Sequence, residues 1–269
     1  MAVKDQHLAL SSGMGLAGIA VTNFWEYYDS VFNEFKEEII KAVIKPKKLT
    51  AVHHYLNYFP DFDEEIHNLK DALDIPEVFD FIERTLAEVK LTTDLPTPDF
   101  SECDDNGGHF DCDCFKIVQQ WMKYSSDNNE KIAELVIHSA FQFVFQDRKF
   151  LRDFHLELAE FIEYEMDYIK KLYPEYVTKK GRIKRQYFPE WLKSAVFYRD
   201  KGTCVICRCD LSNLIRSQNK IHLDHIVPLE LYGTNDPSNM QLLCETCNSS
   251  KGARSTATSA VNVPCWNLF

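Results

Sequence analysis

The fold of the C-terminal part of this chain is decided by residues 202–209, GTCVICRC, and residues 221–248, IHLDHIVPLELYGTNDPSNMQLLCETCN. Each stretch contains one Cys-x-x-Cys pair. Four thiolates in two close pairs suit a tetrahedral zinc ion, and the metal contributes folding free energy that so small a segment cannot obtain from its own core. The alternative, four buried free thiols, does not explain why the pair recurs. We therefore predict one structural zinc site. Its ligands are Cys204, Cys207, Cys244 and Cys247.

The segment between the two pairs is predicted to form a strand and then a turn, and the second pair is predicted to begin a helix. The alternating residues that begin at Ile221 favour a strand, which presents the carboxylate of Asp224 beside the imidazole of His225. Residues 233–239 are turn formers. The second cysteine pair is expected to open a helix, which would place Asn248 and Lys251 near one face.

Each of these residues also has a purely structural interpretation. Asp224 could cap a turn, and His225 could be a buried, hydrogen-bonded histidine. Asn239 could serve simply as the residue that starts a helix. His222 shares a strand face with Asp224, so it is either an extra ligand or a surface histidine. The functional interpretation rests on the occurrence of the site residues together, framed by both cysteine pairs.

Residues Trp191–Arg254 resemble the HNH endonucleases of the ββα-metal, or His-Me finger, fold. The final His of the family name is Asn248 here, a substitution that the family tolerates, and a frequent Gly-Gly is Gly233-Thr234. The N-terminal part of the chain has no counterpart in the resemblance. The motifs that carry it are the two cysteine pairs, Arg199-Asp200, Asp224-His225, Pro228, Asn239, Leu243-Cys244, Cys247-Asn248 and Lys251-Gly252.

The resemblance implies a role for each site residue. Asp224 and Asn248 would ligate one catalytic Mg²⁺ or Mn²⁺ ion through oxygen, the ligand type that hard cations prefer. His225 would act as general base toward the attacking water, and Asn239 would fix the His225 ring by hydrogen bonding. Basic residues are expected to bind the substrate phosphates. They are Lys251, Arg199, Lys184 and Arg185.

The implied function is that of an HNH endonuclease, an enzyme that hydrolyses DNA phosphodiester bonds with a divalent metal ion. No base-reading motif is visible, so little sequence specificity is expected. The alternative is a non-catalytic zinc-binding module for nucleic acid or protein. That alternative needs the four cysteines, but it gives no reason for the site residues to occur together. Those residues are Asp224, His225, Asn239 and Asn248.

Charge divides the chain into an acidic and a basic part. The net charge is −11, but residues 179–254 carry 13 Lys and Arg against 7 Asp and Glu, whereas residues 1–178 carry 17 against 34. Phosphate contacts need local basic residues, so DNA is expected to bind the C-terminal part. The acidic part would repel nucleic acid and is expected to face protein or solvent.

The whole chain is predicted to be mainly α, with an N-terminal all-helical domain followed by a small zinc-stapled ββα-metal nuclease module. Helices are expected over Phe24–Ile44, 49–59, 61–73, Glu77–Leu91 and Asn128–Tyr173, the last with a break near Gln146–Lys149. The predicted domains are a helical regulatory or partner-docking domain at 1–175, a basic linker at 176–186, the HNH nuclease domain at 187–256 and a tail at 257–269.

Four further metal-ligating residues lie in one long acidic loop, with the spacing C-x5-H-x2-C-x-C. They could bind a second zinc ion, which would explain how a loop of this length stays ordered. The loop could equally be mobile in solvent, because this spacing is not a familiar zinc motif. The four residues are Cys103, His109, Cys112 and Cys114.

The expected location is the cytoplasm, because the nine cysteines suit a reducing compartment and the apolar segment Leu8–Val21 is too short to span a bilayer. A nuclease without visible specificity would endanger its host. The helical domain is therefore expected to bind a protein partner or to self-associate. By analogy with the family, the setting could be a prokaryotic anti-phage defence or restriction system.

Overall fold

The computed structural model of the chain describes residues 11–59, 66, 70, 74–103, 108–212 and 220–259. Across these ranges the chain is mainly helical, and every helix is too short or too polar to cross a bilayer. The helices are α1 (Ser11–Thr22), α2 (Phe24–Glu34), α3 (Lys36–Ile44), α4 (Ala51–Leu56), α5 (Ile75–Glu88), α6 (Asp113–Asp127), α7 (Asn129–Val144), α8 (Arg148–Tyr164), α9 (Met166–Leu172), α10 (Glu190–Arg199) and α11 (Glu245–Lys251). The strands are β1 (Ile221–His225) and β2 (Met240–Cys244).

Local sequence signals explain where α5 begins and which face it buries. Asp74 and Glu77 form a capping box, and Pro76 stands in the first turn, where a missing N–H costs no helical hydrogen bond. The prediction of this helix is confirmed, although the helix starts two residues and ends three residues earlier than expected. The predicted apolar face is buried. Its residues are Val78, Phe79, Ile82, Leu86 and Val89.

The other predicted helices are confirmed with corrections. The expected helix over Phe24–Ile44 is interrupted at Phe35, which separates α2 from α3. The break expected near Gln146–Lys149 is present, because the Asp147 side chain accepts hydrogen bonds from two backbone N–H groups and caps α8. A further break at Glu165 and the whole of α6 were not predicted. The helix expected over residues 61–73 lies almost wholly outside the described residues.

The chain falls into two compact units. One contains Met1–Ile19 and Leu56–Gln142, and the other contains Ala20–Tyr55 and Phe143–Phe269. The second unit thus combines α2, α3 and α8 with all the residues of the C-terminal module. The predicted domains, divided at 175 and 187, remain a prediction, and the compact units divide the chain elsewhere.

Aromatic rings form the core of the helical part of the second unit. The Phe24 ring lies 5.4 Å from Phe150 and 5.8 Å from Phe154, and the Phe32 ring lies 5.3 Å from Phe154. These contacts hold α2 against α8. Edge-to-face pairs of this kind add stabilisation beyond the area that the rings bury.

Residues 176–186, predicted as a linker, form a turn with buried contacts. Val177 and Ile183 make a β-bridge, and both side chains are buried. Gly181 has φ +65°, a left-handed conformation that glycine adopts without steric cost. The segment is therefore folded rather than extended.

The C-terminal module is a ββα unit. Strand β1 pairs antiparallel with β2, with Ile221 opposite Cys244 and His225 opposite Met240. Helix α11 begins directly after Cys244 and packs against both strands. The predicted fold class is confirmed: a mainly α protein with a ββα module near the C-terminus.

Gly233 allows the loop between the two strands to close tightly. Its backbone N–H donates to the Pro228 carbonyl at 2.9 Å. A Cβ atom at this position would lie 1.8 Å from the carbonyl oxygen of Val227, which no side chain can do. The first position of the family's Gly-Gly is therefore required here for close backbone approach.

Candidate active site

The four predicted zinc ligands lie together. One sulfur atom from each of Cys204, Cys207, Cys244 and Cys247 falls within 4.8 Å of the others. The Sγ atoms of Cys207 and Cys244 are 3.7 Å apart. Tetrahedral zinc, with Zn–S bonds of about 2.3 Å, requires sulfur atoms about 3.8 Å apart. The cluster therefore fits a single tetrahedral metal ion such as zinc.

The cluster fixes the start of α11. Cys244 is the N-cap residue, and its sulfur accepts a hydrogen bond from the backbone N–H of Cys247 at 3.4 Å. On the opposite side, the backbone N–H of Val205 donates to the Leu242 carbonyl at 3.0 Å, which ties the first cysteine pair to β2. A metal bound here would join the first cysteine pair, the end of β2 and the start of α11.

Asp224 lies on β1 with its carboxylate partly exposed, at 18% of the side-chain surface. Its Oδ2 atom is 2.9 Å from Nζ of Lys251 and accepts a hydrogen bond from Nε2 of Gln241 at 3.2 Å. Gln241 stands directly opposite Asp224 in the sheet. The carboxylate is thus oriented by a buried ammonium group and a cross-strand amide.

His225 ends β1, and its imidazole is buried. A hydrogen bond to the Asn235 side chain holds the ring, while Nε2 has no hydrogen-bond partner among the described residues. The edge of the Phe188 ring packs against the imidazole, with 5.6 Å between the ring centroids. Burial, assisted by the positive charges of Arg185 and Lys251, lowers the pKa of His225 to about 3. The ring is therefore neutral near pH 7, and one of its two nitrogens carries a lone pair.

Asn235, which the sequence analysis did not single out, contacts the His225 ring. Its Nδ2 donates to the carbonyls of Ile44 and Lys184, both at 2.9 Å, and its Oδ1 accepts from the backbone N–H of Gln186 at 3.2 Å. Its own backbone N–H donates to the Val43 carbonyl at 3.0 Å. Within the turn 233–239 the sequence offers two asparagines, and nothing in the pattern says which one faces the histidine.

Asn239 hydrogen-bonds to the backbone of the turn and not to the His225 ring. Its Nδ2 donates to the carbonyls of Val227 and Thr234, both at 3.0 Å, and its Oδ1 accepts from the Val227 backbone N–H at 2.9 Å. The side-chain amide of Asn239 therefore forms its hydrogen bonds with the backbone around the turn. This corrects the prediction that Asn239 fixes the His225 ring: Asn235 makes the hydrogen bond to the ring, and Asn239 closes the loop that carries Asn235.

Two of the predicted phosphate-binding residues are buried. Lys251 donates to the His225 carbonyl at 2.8 Å in addition to its ion pair with Asp224. Arg199 forms a bidentate pair with Asp200 at 2.9 and 3.0 Å, and it also hydrogen-bonds to the Met240 carbonyl. Both side chains are almost fully buried and hydrogen-bonded within the protein, so they are not exposed to bind a phosphate. These two predictions are therefore corrected: Lys251 and Arg199 stabilise the module through buried contacts.

The other two predicted phosphate-binding residues are exposed. Arg185 lies over the Phe188 ring, with 5.1 Å from its guanidinium carbon to the ring centroid, and donates to the Leu223 carbonyl at 3.3 Å. The Lys184 ammonium group donates to the Glu175 carbonyl at 2.6 Å. Arg185 is thus an exposed cation that contacts β1 directly and lies over the same Phe188 ring that packs against His225.

Asn248 and His222 complete the neighbourhood of Asp224. Asn248 is half-buried on α11, the helix that packs against β1. His222 lies two residues before Asp224 in β1, and its Nε2 atom is buried without a hydrogen-bond partner among the described residues. Asp224 and Asn248 each offer an oxygen atom, the ligand type that a hard divalent cation prefers.

Residues 204–254 match the family model described as HNH endonuclease. The C-terminal module belongs to the HNH endonuclease family. The match begins at the first zinc-type cysteine and ends just after α11, so it covers the ββα unit and leaves the helical segments outside. No curated protein and no solved structure matches the chain. The match supports a nuclease family for this module, in agreement with the predicted resemblance.

Proposed function

We propose that this protein is a metal-dependent HNH endonuclease that hydrolyses DNA phosphodiester bonds at Asp224, His225 and Asn248. The observation that carries the proposal is the His225 ring. It is buried, hydrogen-bonded to Asn235 and neutral near pH 7, and it stands next in sequence to a partly exposed carboxylate, inside a segment that matches the HNH family.

Each protein group has a definite task in such a reaction. Neutral His225 takes the proton of the attacking water, and the hydrogen bond between its ring and the Asn235 side chain stabilises the imidazolium that forms. Asp224 and Asn248 are the residues that would hold Mg²⁺ or Mn²⁺, which supplies positive charge to the scissile phosphate and the leaving oxygen. Lys251 forms an ion pair with the Asp224 carboxylate and ties α11 to the end of β1.

DNA is the proposed substrate because the exposed charge around the module is basic. Lys184 and Arg185 lie in the folded turn before the module, and the 179–254 segment as a whole has an excess of six basic residues. Contacts of this kind bind the phosphate backbone without reading bases. The helical segments are proposed to keep the nuclease in a larger assembly with a protein partner, as in an anti-phage defence system.

The test is a cleavage assay on supercoiled, linear and single-stranded DNA with zinc-loaded protein, with and without added Mg²⁺ or Mn²⁺. His225→Ala is expected to reduce the rate at least about 100-fold, the usual contribution of a general base. His138→Ala, on a helix outside the module, is the matched control and should cleave like wild type. The proposal fails if His225→Ala cleaves as fast as wild type, or if cleavage is independent of the divalent ion.

A non-catalytic zinc module is the second candidate, and one observation favours it. The Asp224 carboxylate already has a buried ammonium partner in Lys251, which neutralises part of the charge that a metal ion would use. This candidate predicts DNA or protein binding without cleavage under any metal condition. The same assay, combined with a DNA-binding measurement on the zinc-loaded protein, separates the two functions.

A further inference from the structure

A second cluster of metal-type ligands lies in the other compact unit, far along the sequence from the HNH domain. It is formed by the long loop between α5 and α6 together with the first residues of α6. One ligand atom from each of four side chains falls within 4.8 Å of the others, the same criterion that the HNH cysteine cluster meets. The four residues are Cys103, His109, Cys112 and Cys114.

The distances within this cluster fit a tetrahedral zinc ion. The Sγ atom of Cys112 lies 3.6 Å from Nδ1 of His109. With a Zn–S bond of about 2.3 Å and a Zn–N bond of about 2.0–2.1 Å, a tetrahedron requires a sulfur–nitrogen edge of about 3.6 Å. The observed separation equals the distance between two ligands of one ion.

The backbone of the loop adopts a conformation that serves the cluster. Gly108 has φ +88° and His109 has φ +63°, both in the left-handed region, which histidine adopts more readily than most residues other than glycine. A Cβ atom on Gly108 would lie 2.8 Å from Oδ1 of Asp74. The Gly108 carbonyl accepts a hydrogen bond from the backbone N–H of Ile75, so the turn that aims His109 is fixed to the start of α5.

The two cysteine clusters share an architectural feature. Cys112 is the N-cap residue of α6, as Cys244 is the N-cap residue of α11. In this position a thiolate faces the free N–H groups and the positive end of the helix dipole. The placement suits a negatively charged sulfur ligand, and it recurs at the zinc-type cluster of the HNH domain.

Side chains of α6 bind the backbone of the loop. Trp121 Nε1 donates to the Pro96 carbonyl at 2.8 Å, and the Tyr124 hydroxyl donates to the Thr92 carbonyl at 2.9 Å. The ring of Phe100 packs on Phe79 and on His109. A metal ion that joined Cys103 to the start of α6 would close the loop against both helices.

We propose that Cys103, His109, Cys112 and Cys114 bind a second structural zinc ion with three thiolate ligands and one imidazole ligand. The site is independent of the proposed nuclease activity, because none of its ligands belongs to the HNH domain. The protein then carries two zinc ions per chain, one held by four sulfur atoms and one held by three sulfur atoms and one nitrogen.

Metal content and zinc-edge X-ray absorption of the purified full chain test the proposal. Wild type should contain two zinc ions, with an average shell of about 3.5 sulfur and about 0.5 nitrogen ligands per zinc. The double variant Cys112→Ser/Cys114→Ser should contain one, with an all-sulfur shell. The variant Asp111→Asn, which changes an exposed residue between the ligands, should keep two.

The variant His109→Cys gives a second readout that does not depend on loss of metal. It should retain two zinc ions while the average shell changes to four sulfur atoms. A wild-type protein with a single all-sulfur zinc overturns the proposal, even if the serine variant fails to fold. Two zinc ions retained in Cys112→Ser/Cys114→Ser overturn it as well, and so does a disulfide among these cysteines in the metal-loaded protein.

Discussion

Replacing Asp200 tests how the HNH domain is joined to the helices of its own unit. The Asp200 carboxylate is fully buried between two arginines. It accepts two hydrogen bonds from Arg199, one from Arg148 on α8 at 3.2 Å and one from the backbone N–H of Leu242 in β2 at 2.9 Å. The substitution Asp200→Ala would leave two guanidinium groups buried without their anion.

The magnitude follows from these contacts. Charge-assisted hydrogen bonds contribute about 1.5–3 kcal/mol each, but three of them to one carboxylate are not additive. Removal of one member of a buried ion pair costs about 3–5 kcal/mol, and we expect Asp200→Ala to lie in this range. For a chain of this size that corresponds to a melting temperature lower by about 6–20 °C.

Differential scanning calorimetry of the zinc-loaded protein measures this loss. Asp153→Asn is the control, because Asp153 pairs with exposed Lys149 and Arg152, and surface pairs contribute about 0–1 kcal/mol. The Asp200→Ala loss should also shrink in an Arg148→Met background, where one fewer charge is orphaned. A melting temperature within 2 °C of wild type, on the order of a surface substitution, would refute the reasoning.

Three further predictions concern the turn and the buried histidines. Asn235→Ala should lower kcat about 10- to 100-fold with little change in KM, because the His225 ring loses its anchor; steady-state cleavage kinetics would show it, and an equal rise in KM would contradict it. Gly233→Ala should destabilise the module by more than about 3 kcal/mol, read as a lower melting temperature, because its Cβ would collide with the Val227 carbonyl. Burial lowers the pKa of His155 to about 3, so its contribution to stability is complete above about pH 6.5 and is lost as the pH falls toward 3. Urea unfolding of wild type and His155→Gln between pH 6 and pH 4 should differ in slope by about 1.4 kcal/mol per pH unit, and parallel curves would contradict this.

The sequence predicted the parts of the site that depend on local chemistry. The cysteine pairs, the strand that ends at His225 and the helix that opens after Cys244 are all specified by residue type and spacing, and the structure contains each of them. The helix break near Gln146–Lys149 was likewise predicted, and the structure has a break there, with Asp147 as the N-cap residue of α8. Such signals act over a few residues, which is why they can be recognised without coordinates.

The parts that depended on tertiary contacts could not be predicted. From the sequence, Arg199 and Lys251 were predicted to bind phosphate. In the structure both are buried, and they donate hydrogen bonds to the carbonyls of Met240 and His225. Asn235 and Asn239 are equivalent as turn formers, and only the packing of the loop decides which one meets the His225 ring. The break at Phe35 carries no proline or glycine, so no local rule indicated it.

The turn that carries Asn235 has consequences for dissecting the protein. Its backbone and side chain are held by the carbonyls of Val43 and Ile44, and the neighbouring Asp236 carboxylate accepts from the backbone N–H of Ala51 at 2.7 Å. A fragment cut at residue 187 would therefore keep every residue of the HNH motif and lose the scaffold behind its histidine. Truncations that spare the motif would still remove these contacts, and a minimal fragment that keeps this turn folded must retain the segment around residues 43–51 as well.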